Sequence, residues 1–163
     1  MTAQLSARMR VIRSSLFDLD LHLDLAPGER VAVMGPSGAG KSTLLAALAG
    51  FVRLDAGRIE LDGDVIADAS VRGGTARRGI HVAPMDRGVV LLGQEARLFP
   101  HLSARENVAF GPRARGHSRT ESGHAADEWL DRVGLAGFGN RMPAQLSGGQ
   151  QQRVAVARAL AVE

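Results

Sequence analysis

The sequence contains no cysteine and no tyrosine, and only 4% of its 163 residues are aromatic. Without cysteine there is no disulfide framework, no thiolate nucleophile and no cysteine-ligated zinc site. The longest mostly apolar run, from Leu44 to Val52, is far shorter than the ~20 residues that a membrane-spanning helix needs. The first ten residues lack the apolar stretch of a secretory signal. We therefore expect a chain that does not itself enter the membrane.

The charge of the chain gives little reason to expect nucleic acid as a partner. The formal net charge is +3 at pH 7, and the sequence has no block of five or six basic residues. Its five histidines show no ligand spacing, which argues against a histidine-ligated metal centre. Hydrophobic residues make up 45% of the chain, which excludes disorder of the chain as a whole.

Hydrophobic patterning predicts strands mainly in the first part of the chain. Residues 16–25 alternate strictly between apolar and polar, which is typical of a half-buried strand or hairpin arm. The short apolar runs at 31–34 and 89–92, each followed by glycine, predict two buried strands. Residues 58–66 predict a small hairpin, and the polar, glycine-rich residues 68–80 predict a loop.

The second part of the chain is predicted to be helical. Ser103 and Glu106 have the spacing of a capping box, in which serine caps a helix and glutamate reaches back to its start. The predicted helices cover residues 43–51, a segment that begins after Ser103, 125–133 and 150–161, with a polar connection over 111–123.

A phosphate-binding motif lies between the first buried run and the first helix. Its sequence, GPSGAGKST, matches G-x-x-x-x-G-K-[ST], whose glycines let backbone N–H groups surround a phosphate while the following helix directs its positive end at the same anion. Of the 20 basic residues only Lys41 is a lysine, and its compact ammonium suits a tight phosphate loop better than the wide fork of arginine. The Ser42 hydroxyl can ligate Mg²⁺. The alternative is an accidental glycine-rich turn. The candidate residues are Gly35, Pro36, Ser37, Gly38, Ala39, Gly40, Lys41, Ser42 and Thr43.

A second anion site is predicted at the sequence LSGGQ, which starts at Leu146. Ser147 can cap the following helix, and the two glycines leave backbone N–H groups exposed at its start. Taken alone, the same residues are also consistent with a flexible helix entry. The candidate residues are Ser147, Gly148, Gly149 and Gln150.

Together the two motifs resemble the ATP-binding subunit of ABC transporters, and residues 146–161 resemble that family's signature and the helix behind it. The resemblance implies an α/β fold, a P-loop NTPase core of the ABC ATPase type, with a small antiparallel β region and a helical subdomain. It implies ATP and Mg²⁺ as cofactors and ATP hydrolysis as the activity. It also implies a head-to-tail homodimer, in which Ser147, Gly148 and Gly149 contact the γ-phosphate held by the partner's P-loop. Gln94 matches the family's Q-loop glutamine, which would contact Mg²⁺ and the attacking water and sense the membrane subunit.

Within the family, LFPHLS at 98–103 and NVAFG at 107–111 resemble bacterial importers, most closely the molybdate importer ATPase. This implies a membrane subunit as partner, a periplasmic or lipoprotein solute-binding protein as an indirect one, and a place in the cytoplasm at the inner face of the cell membrane. The interval from Lys41 to Ser147 has no room for the long coiled coils of chromosome-maintenance and DNA-repair relatives. A soluble ABC ATPase that acts on ribosomes or nucleic acid is an alternative, and the LFPHLS stretch argues against it.

Two parts of the family pattern do not match. The family usually stacks an aromatic side chain on adenine, but Phe17 falls on the apolar side of its strand, so we expect it to pack in the core. The family also has, after the signature helix, a strand ending in Asp-Glu and a later histidine, and these would follow Glu163. We therefore expect weak or no activity from these residues alone, and a non-catalytic nucleotide-binding fragment is the alternative. The expected organisation is one partial ATP-binding domain over 1–163, with the β region and P-loop core in 1–94, the helical subdomain in 95–149 and the helix after the signature in 150–163.

Overall fold

The computed structural model describes residues 4–14, 17–69 and 79–162. By its internal contacts the chain forms two compact units, Met1–Leu91 and Leu92–Glu163. In the described residues, the first unit contains strands β1 to β5 and helix α1, and the second contains helices α2 to α4. Their bounds are Leu5–Ser14 (β1), Phe17–Leu25 (β2), Lys41–Leu48 (α1), Ala56–Leu61 (β3), Asp64–Asp68 (β4), Ile80–His81 (β5), Ala104–Ala114 (α2), Arg119–Arg132 (α3) and Gly148–Leu160 (α4), with short 3-10 helices at Pro84–Asp86 and Pro143–Gln145.

The first unit is an antiparallel sheet in the order β2-β1-β3-β4-β5. Strand β2 confirms the predicted alternation, since its odd-numbered residues are half-buried and its even-numbered residues are exposed. Strand β1 was not predicted, although Ala7, Met9 and Val11 alternate with polar residues and are all buried. Together with Ile59 of β3 and Leu44 of α1, they form the core on which α1 rests.

The predicted hairpin is confirmed as β3 and β4. Its turn residues Asp62 and Gly63 both have positive φ, 54° and 86°, as a type I′ turn requires. The loop predicted over 68–80 is wrong at both ends, because Asp68 of β4 pairs with Ile80 of β5. Residues 70–78 of that loop lie outside the described residues.

The two short apolar runs are not strands in this structure, and both predictions are wrong. Val31 and Val33 are 48% and 43% exposed, and Met34 is 88% exposed. Residues 89–92 likewise have no strand assignment, and Val90, Leu91 and Leu92 are exposed. An apolar run becomes a buried strand only where neighbouring strands bond to its backbone and other layers cover its faces. Among the described residues, neither run has a paired strand beside it.

The helices of the second unit all begin at a serine. Capping boxes join Ser103 to Glu106 at α2, Ser118 to Glu121 at α3 and Ser147 to Gln150 at α4. The box at Ser118 was not predicted, so the polar connection expected over 111–123 is wrong in extent. Helix α2 continues to Ala114, and only residues 115–118 join it to α3. The core of this unit contains Val108, Ala126, Leu130, Leu135, Val154 and Ala157.

The predicted bounds of α1 and α4 agree with the structure within two or three residues, whereas α3 begins at Arg119, six residues before the predicted start at 125. Helix α1 begins at Lys41, two residues earlier than predicted, and α4 begins at Gly148. Ala126 and Leu130, both within the helix predicted over 125–133, are buried in the core of the second unit. None of the helices in the described ranges combines the length and the apolar character that a bilayer crossing requires.

Candidate nucleotide-binding site

The loop before α1 has a backbone conformation that requires glycine. Gly40, the N-cap residue of α1, has a φ of 93°, which side chains rarely adopt. A Cβ atom at this position would lie 3.0 Å from Cζ of Phe17 and 3.2 Å from Cδ1 of Leu19. Any larger residue would therefore meet both backbone strain and the β2 side chains. No side chain caps this helix, so the N–H groups of its first turn stay available.

Lys41 closes the loop on itself. Its Nζ donates hydrogen bonds to the carbonyl oxygens of Gly35, at 2.8 Å, and Pro36, at 2.7 Å. Because an ammonium group has three donors, one remains for a further acceptor. The positive charge thus lies over the glycine-rich backbone of the loop. A phosphate bound by the N–H groups of this loop would lie beside it.

The donor set of this loop fits a nucleotide phosphate that carries Mg²⁺. Backbone N–H groups, one ammonium and the exposed Ser42 hydroxyl converge at the N-terminus of α1, whose first turn has no acidic residue. The described residues contain no cluster of three or more histidine, aspartate or glutamate side chains that could hold a metal alone. A magnesium ion here would depend on phosphate oxygens and Ser42, which is its usual mode with nucleotides.

The second predicted anion site, in the other unit, is the start of α4. The Ser147 hydroxyl accepts a hydrogen bond from the Gln150 N–H at 3.3 Å, and the Gln150 side chain accepts one from the Ser147 N–H at 2.9 Å. Gly148 and Gly149 are exposed, and no atom lies within 4 Å of the place where their Cβ atoms would be. Backbone N–H groups at this helix start are therefore open to a ligand.

The four helix N-termini differ in charge. At α2, hydrogen bonds from Ser103, chiefly from its backbone N–H, hold the pKa of the Glu106 carboxyl below its ordinary value of 4.5. At α3, hydrogen bonds from Ser118, chiefly from its side chain, do the same for the pKa of Glu121. Helices α1 and α4 have no acidic residue in the first turn. Their positive ends are left without a carboxylate, and they follow the two motifs that predict phosphate binding.

Gln94 and Phe17 have local contacts that the sequence did not reveal. Gln94 is exposed, and its backbone carbonyl accepts a hydrogen bond from the side chain of Gln152 in α4. Arg158, also in α4, donates to the carbonyls of Ala96 and Arg97 at 3.3 and 3.1 Å, and so holds the segment after Gln94. Phe17 is half-buried beside Gly40.

One buried residue at the C-terminal end of α1 was missed entirely. Arg87 is 3% exposed and bonds to the C-terminal carbonyls of α1. No motif marks it, because a lone arginine between two loops has no periodicity or spacing to reveal it.

Comparison with known proteins shows to which family the chain belongs. A family model described as ABC transporter matches residues 19–163. The chain belongs to the ABC transporter family. The resemblance inferred from the two motifs is thus confirmed, and so is the expected fold. The ABC ATPase described as a dimeric post-hydrolysis state of the ATP-binding cassette MJ0796, bound to ADP and Pi, matches with a TM-score of 0.73 and 30% identity. That match covers 98% of this ABC transporter chain and 69% of the solved one.

Several curated ABC transporter subunits are similar in sequence. The molybdenum import ATP-binding protein ModC of Mycobacterium tuberculosis (strain ATCC 25618 / H37Rv) is 48% identical over 149 residues, which are 89% of this chain and 38% of ModC. The sulfate/thiosulfate import protein CysA of Bacillus cereus is 46% identical over 148 residues, 88% of this chain and 38% of CysA. The Fe(3+) import protein FbpC of Agrobacterium fabrum is 45% identical over 145 residues, 88% of this chain and 37% of FbpC. The chain therefore spans well under half the length of the curated relatives it matches.

Proposed function

We propose that this chain binds ATP at residues 35–43 and is part of an ATP-hydrolysing subunit that drives a bacterial importer. One observation carries the proposal: Lys41 lies across the carbonyls of Gly35 and Pro36, at the start of a helix whose positive end has no carboxylate. This arrangement provides an ammonium, open backbone donors and a helix dipole for a single polyphosphate.

The residues of the loop would divide the work of phosphate binding. The backbone N–H groups from Gly38 to Ser42 surround the β-phosphate, and Lys41 reaches the β- and γ-phosphates with the donor that its loop contacts leave free. The Ser42 hydroxyl holds Mg²⁺, which neutralises phosphate charge when it is bound. These contacts orient the γ-phosphate and stabilise charge rather than form covalent bonds.

The start of α4 would complete the site from a second copy of the chain. In a head-to-tail homodimer, Ser147, Gly148 and Gly149 contact the γ-phosphate held by the partner's loop, and Gln94 contacts Mg²⁺ and the attacking water. Two observations support this role: the first turn of α4 has no acidic residue, and its two glycines are open. ATP would close this dimer and its hydrolysis would reopen it, because the γ-phosphate bridges the two copies.

The proposed transported solute is molybdate or a related oxyanion. The similarity to molybdenum and sulfate/thiosulfate import proteins supports this class. The proposed partners are a membrane subunit at the inner, cytoplasmic face of the cell membrane and, indirectly, a periplasmic or lipoprotein solute-binding protein. No nucleic acid partner is proposed, since the chain has no basic block.

The test of nucleotide binding is a pair of substitutions at Lys41. We expect Lys41→Ala to weaken binding of a fluorescent N-methylanthraniloyl ATP by tenfold or more, on the order of the loss of a charge-assisted phosphate contact. Lys41→Arg should not restore it, because the guanidinium is too wide for the loop. The control is Arg8→Ala, which removes one positive charge from an exposed position on β1. If Lys41→Ala binds the nucleotide as tightly as the unmodified chain does, the proposal is wrong.

A further inference from the structure

Arg87 carries a positive charge into the interior of the first unit. Its side chain is only 3% exposed, and burial lowers its pKa. Nε donates to the Val82 carbonyl at 2.8 Å, and Nη1 donates to the carbonyls of Ala47 and Leu48, both at 3.0 Å. The ion pairs found among the described residues do not include it. Because a buried charge is costly unless it is compensated, these carbonyls are its main compensation.

Two of those carbonyls belong to the last turn of α1. The last carbonyls of a helix have no partner within the helix, and they form its negative end. Helix α1 has no basic residue in its own last turn, so Arg87 supplies the cation from a distant part of the chain. At the other end of the same eight-residue helix, about 12 Å away at 1.5 Å per residue, lies Lys41.

Gly50 leaves the space that this contact needs. It has a φ of 87°, and a Cβ atom there would lie 2.5 Å from Nε of Arg87. The exit of α1 therefore has no side chain where the guanidinium lies. The contact therefore depends on two residues: Gly50, which has no side chain in the way, and the buried Arg87.

His81 accepts a fourth hydrogen bond from Arg87, and its imidazole must be neutral to do so. Its Nδ1 lies 3.2 Å from Nη2 of Arg87. Since a guanidinium group only donates, Nδ1 is the acceptor and the proton of the neutral ring is on Nε2. A doubly protonated imidazole would place two N–H donors against each other and add a second cation.

The surroundings of His81 also oppose its protonation. Burial, followed by the charges of Arg53 and Arg87, lowers its pKa below the ordinary 6.5, and a backbone hydrogen bond at Gly50 acts in the opposite direction. The neighbour of His81 on β4 is the uncharged Ala67. Two side-chain charges act on His81, and both are positive: Arg53, which follows α1, and Arg87, which follows the 3-10 helix at Pro84–Asp86.

We propose that Arg87 is a positioning residue for the nucleotide, which holds the C-terminal end of α1 so that the loop and Lys41 at its other end stay in place, and that it does so only while His81 is neutral. Acidification would then weaken nucleotide binding through a group that does not touch the nucleotide. This inference rests on the proposed function of α1 as the phosphate-binding helix.

The first part of the test is substitution of Arg87, with binding of N-methylanthraniloyl ATP measured at pH 7.5. We expect Arg87→Met to weaken binding by about tenfold, the usual size of a lost set of charged hydrogen bonds. Arg87→Lys should recover part of this loss, because an ammonium can still reach the helix carbonyls. A purely structural role would lower the melting temperature of both variants without this graded recovery of affinity.

The second part compares the unmodified chain with His81→Gln from pH 7.5 to pH 5.0. Glutamine can accept the same hydrogen bond through its side-chain oxygen but does not titrate. At each pH, the dissociation constant of the unmodified chain is divided by that of His81→Gln. This ratio cancels the effect of the titration of ATP itself, because ATP is the same in both measurements. We expect this ratio to be near one at pH 7.5 and to rise, by roughly threefold or more, as the pH falls through the lowered pKa of His81 and the imidazole takes up a proton. The control is His124→Gln, an exposed histidine of α3, which should follow the unmodified chain throughout.

The outcomes separate this inference from the proposed function. If Lys41→Ala abolishes binding but Arg87→Met binds as the unmodified chain does, the positioning role of Arg87 is refuted while the nucleotide site stands. If the ratio for His81→Gln stays at one down to pH 5.0, the dependence on neutral His81 is refuted. If Lys41→Ala has no effect, the proposed function fails and this inference fails with it. If Arg87→Met does not fold, as circular dichroism would show, the His81→Gln comparison decides.

Discussion

Helices α2 and α3 differ from helices α1 and α4 at their first turns. The N-termini of α2 and α3 each hold a glutamate whose pKa is lowered by hydrogen bonds from the capping serine. Those of α1 and α4 hold no acid. Since a carboxylate in the first turn stabilises a helix but repels an anionic ligand, this difference supports the proposal that α1 and α4, rather than α2 and α3, receive phosphate. The loss of a stabilising charge at α1 and α4 is the expected cost of an open site.

The largest effect is expected from a substitution at the N-terminus of α1. Gly40→Ala places a Cβ atom 3.0 Å from the Phe17 ring at a φ of 93°. We expect a loss of about 1–3 kcal/mol in the free energy of unfolding, from backbone strain and the close contact, together with a loss of ATP binding of more than tenfold. Urea unfolding and fluorescent ATP binding measure the two effects. The control is Gly63→Asn in the β3–β4 turn, where asparagine tolerates a positive φ. Unchanged ATP affinity in Gly40→Ala would contradict the role assigned to the loop.

A smaller change would make α4 resemble α2 and α3. Gln150→Glu creates the same serine–glutamate capping box, so the helix should gain stability slightly. The added carboxylate should weaken dimer formation with a non-hydrolysable ATP analogue by about tenfold, because it lies in the first turn that would meet the γ-phosphate. Sedimentation velocity with and without the analogue measures this. Gln4→Glu, which adds the same charge at an exposed position in the first unit, should have no effect. Equal dimer formation by Gln150→Glu would mean that α4 does not contact the nucleotide.

The smallest effect is the reverse substitution at α2. Glu106→Gln removes the carboxylate but keeps a side chain that can accept from the Ser103 N–H. We expect the melting temperature at pH 7 to fall by about 2 °C, and ATP binding to stay the same. Because the pKa of Glu106 is lowered by folding, its stabilising charge is present above 4.5 and lost as the pH falls below that value. The difference in melting temperature should therefore disappear in acid. A difference that does not shrink as the pH falls below 4.5 would show that the effect is not one of charge.

Features that depend on a few neighbouring residues were predicted well. The hairpin turn at Asp62 and Gly63 and the caps at Ser103 and Ser147 follow from short spacings, and each lies where its motif stands. Phosphate binding by residues 35–43 stays a prediction. The cap at Ser118 has the same S-x-x-E spacing and was open to the same argument.

Features that depend on distant partners were not predictable in this way. Val31 to Met34 and Val89 to Leu92 have the composition of buried strands, yet strand formation requires neighbours that composition does not supply. Strand β1 was missed although Ala7, Met9 and Val11 alternate with polar residues, and the pairing with β2 and β3 on its two sides is what the tertiary structure added.

By itself, the sequence determined the family, from two motifs read together, and the caps at Ser103 and Ser147, because each motif and each cap depends on residues within about nine positions of one another. Only the tertiary structure decided that Arg87 lies against the end of α1 and that His81 must accept from it. The contact of Arg87 with Ala47 joins residues 40 positions apart, and although His81 is only six positions from Arg87, the two side chains have no motif that would pair them. A guanidinium is buried only where folding brings unpaired carbonyls to meet it. Local spacing therefore predicts where the nucleotide binds, and long-range packing selected the buried arginine that holds the end of α1.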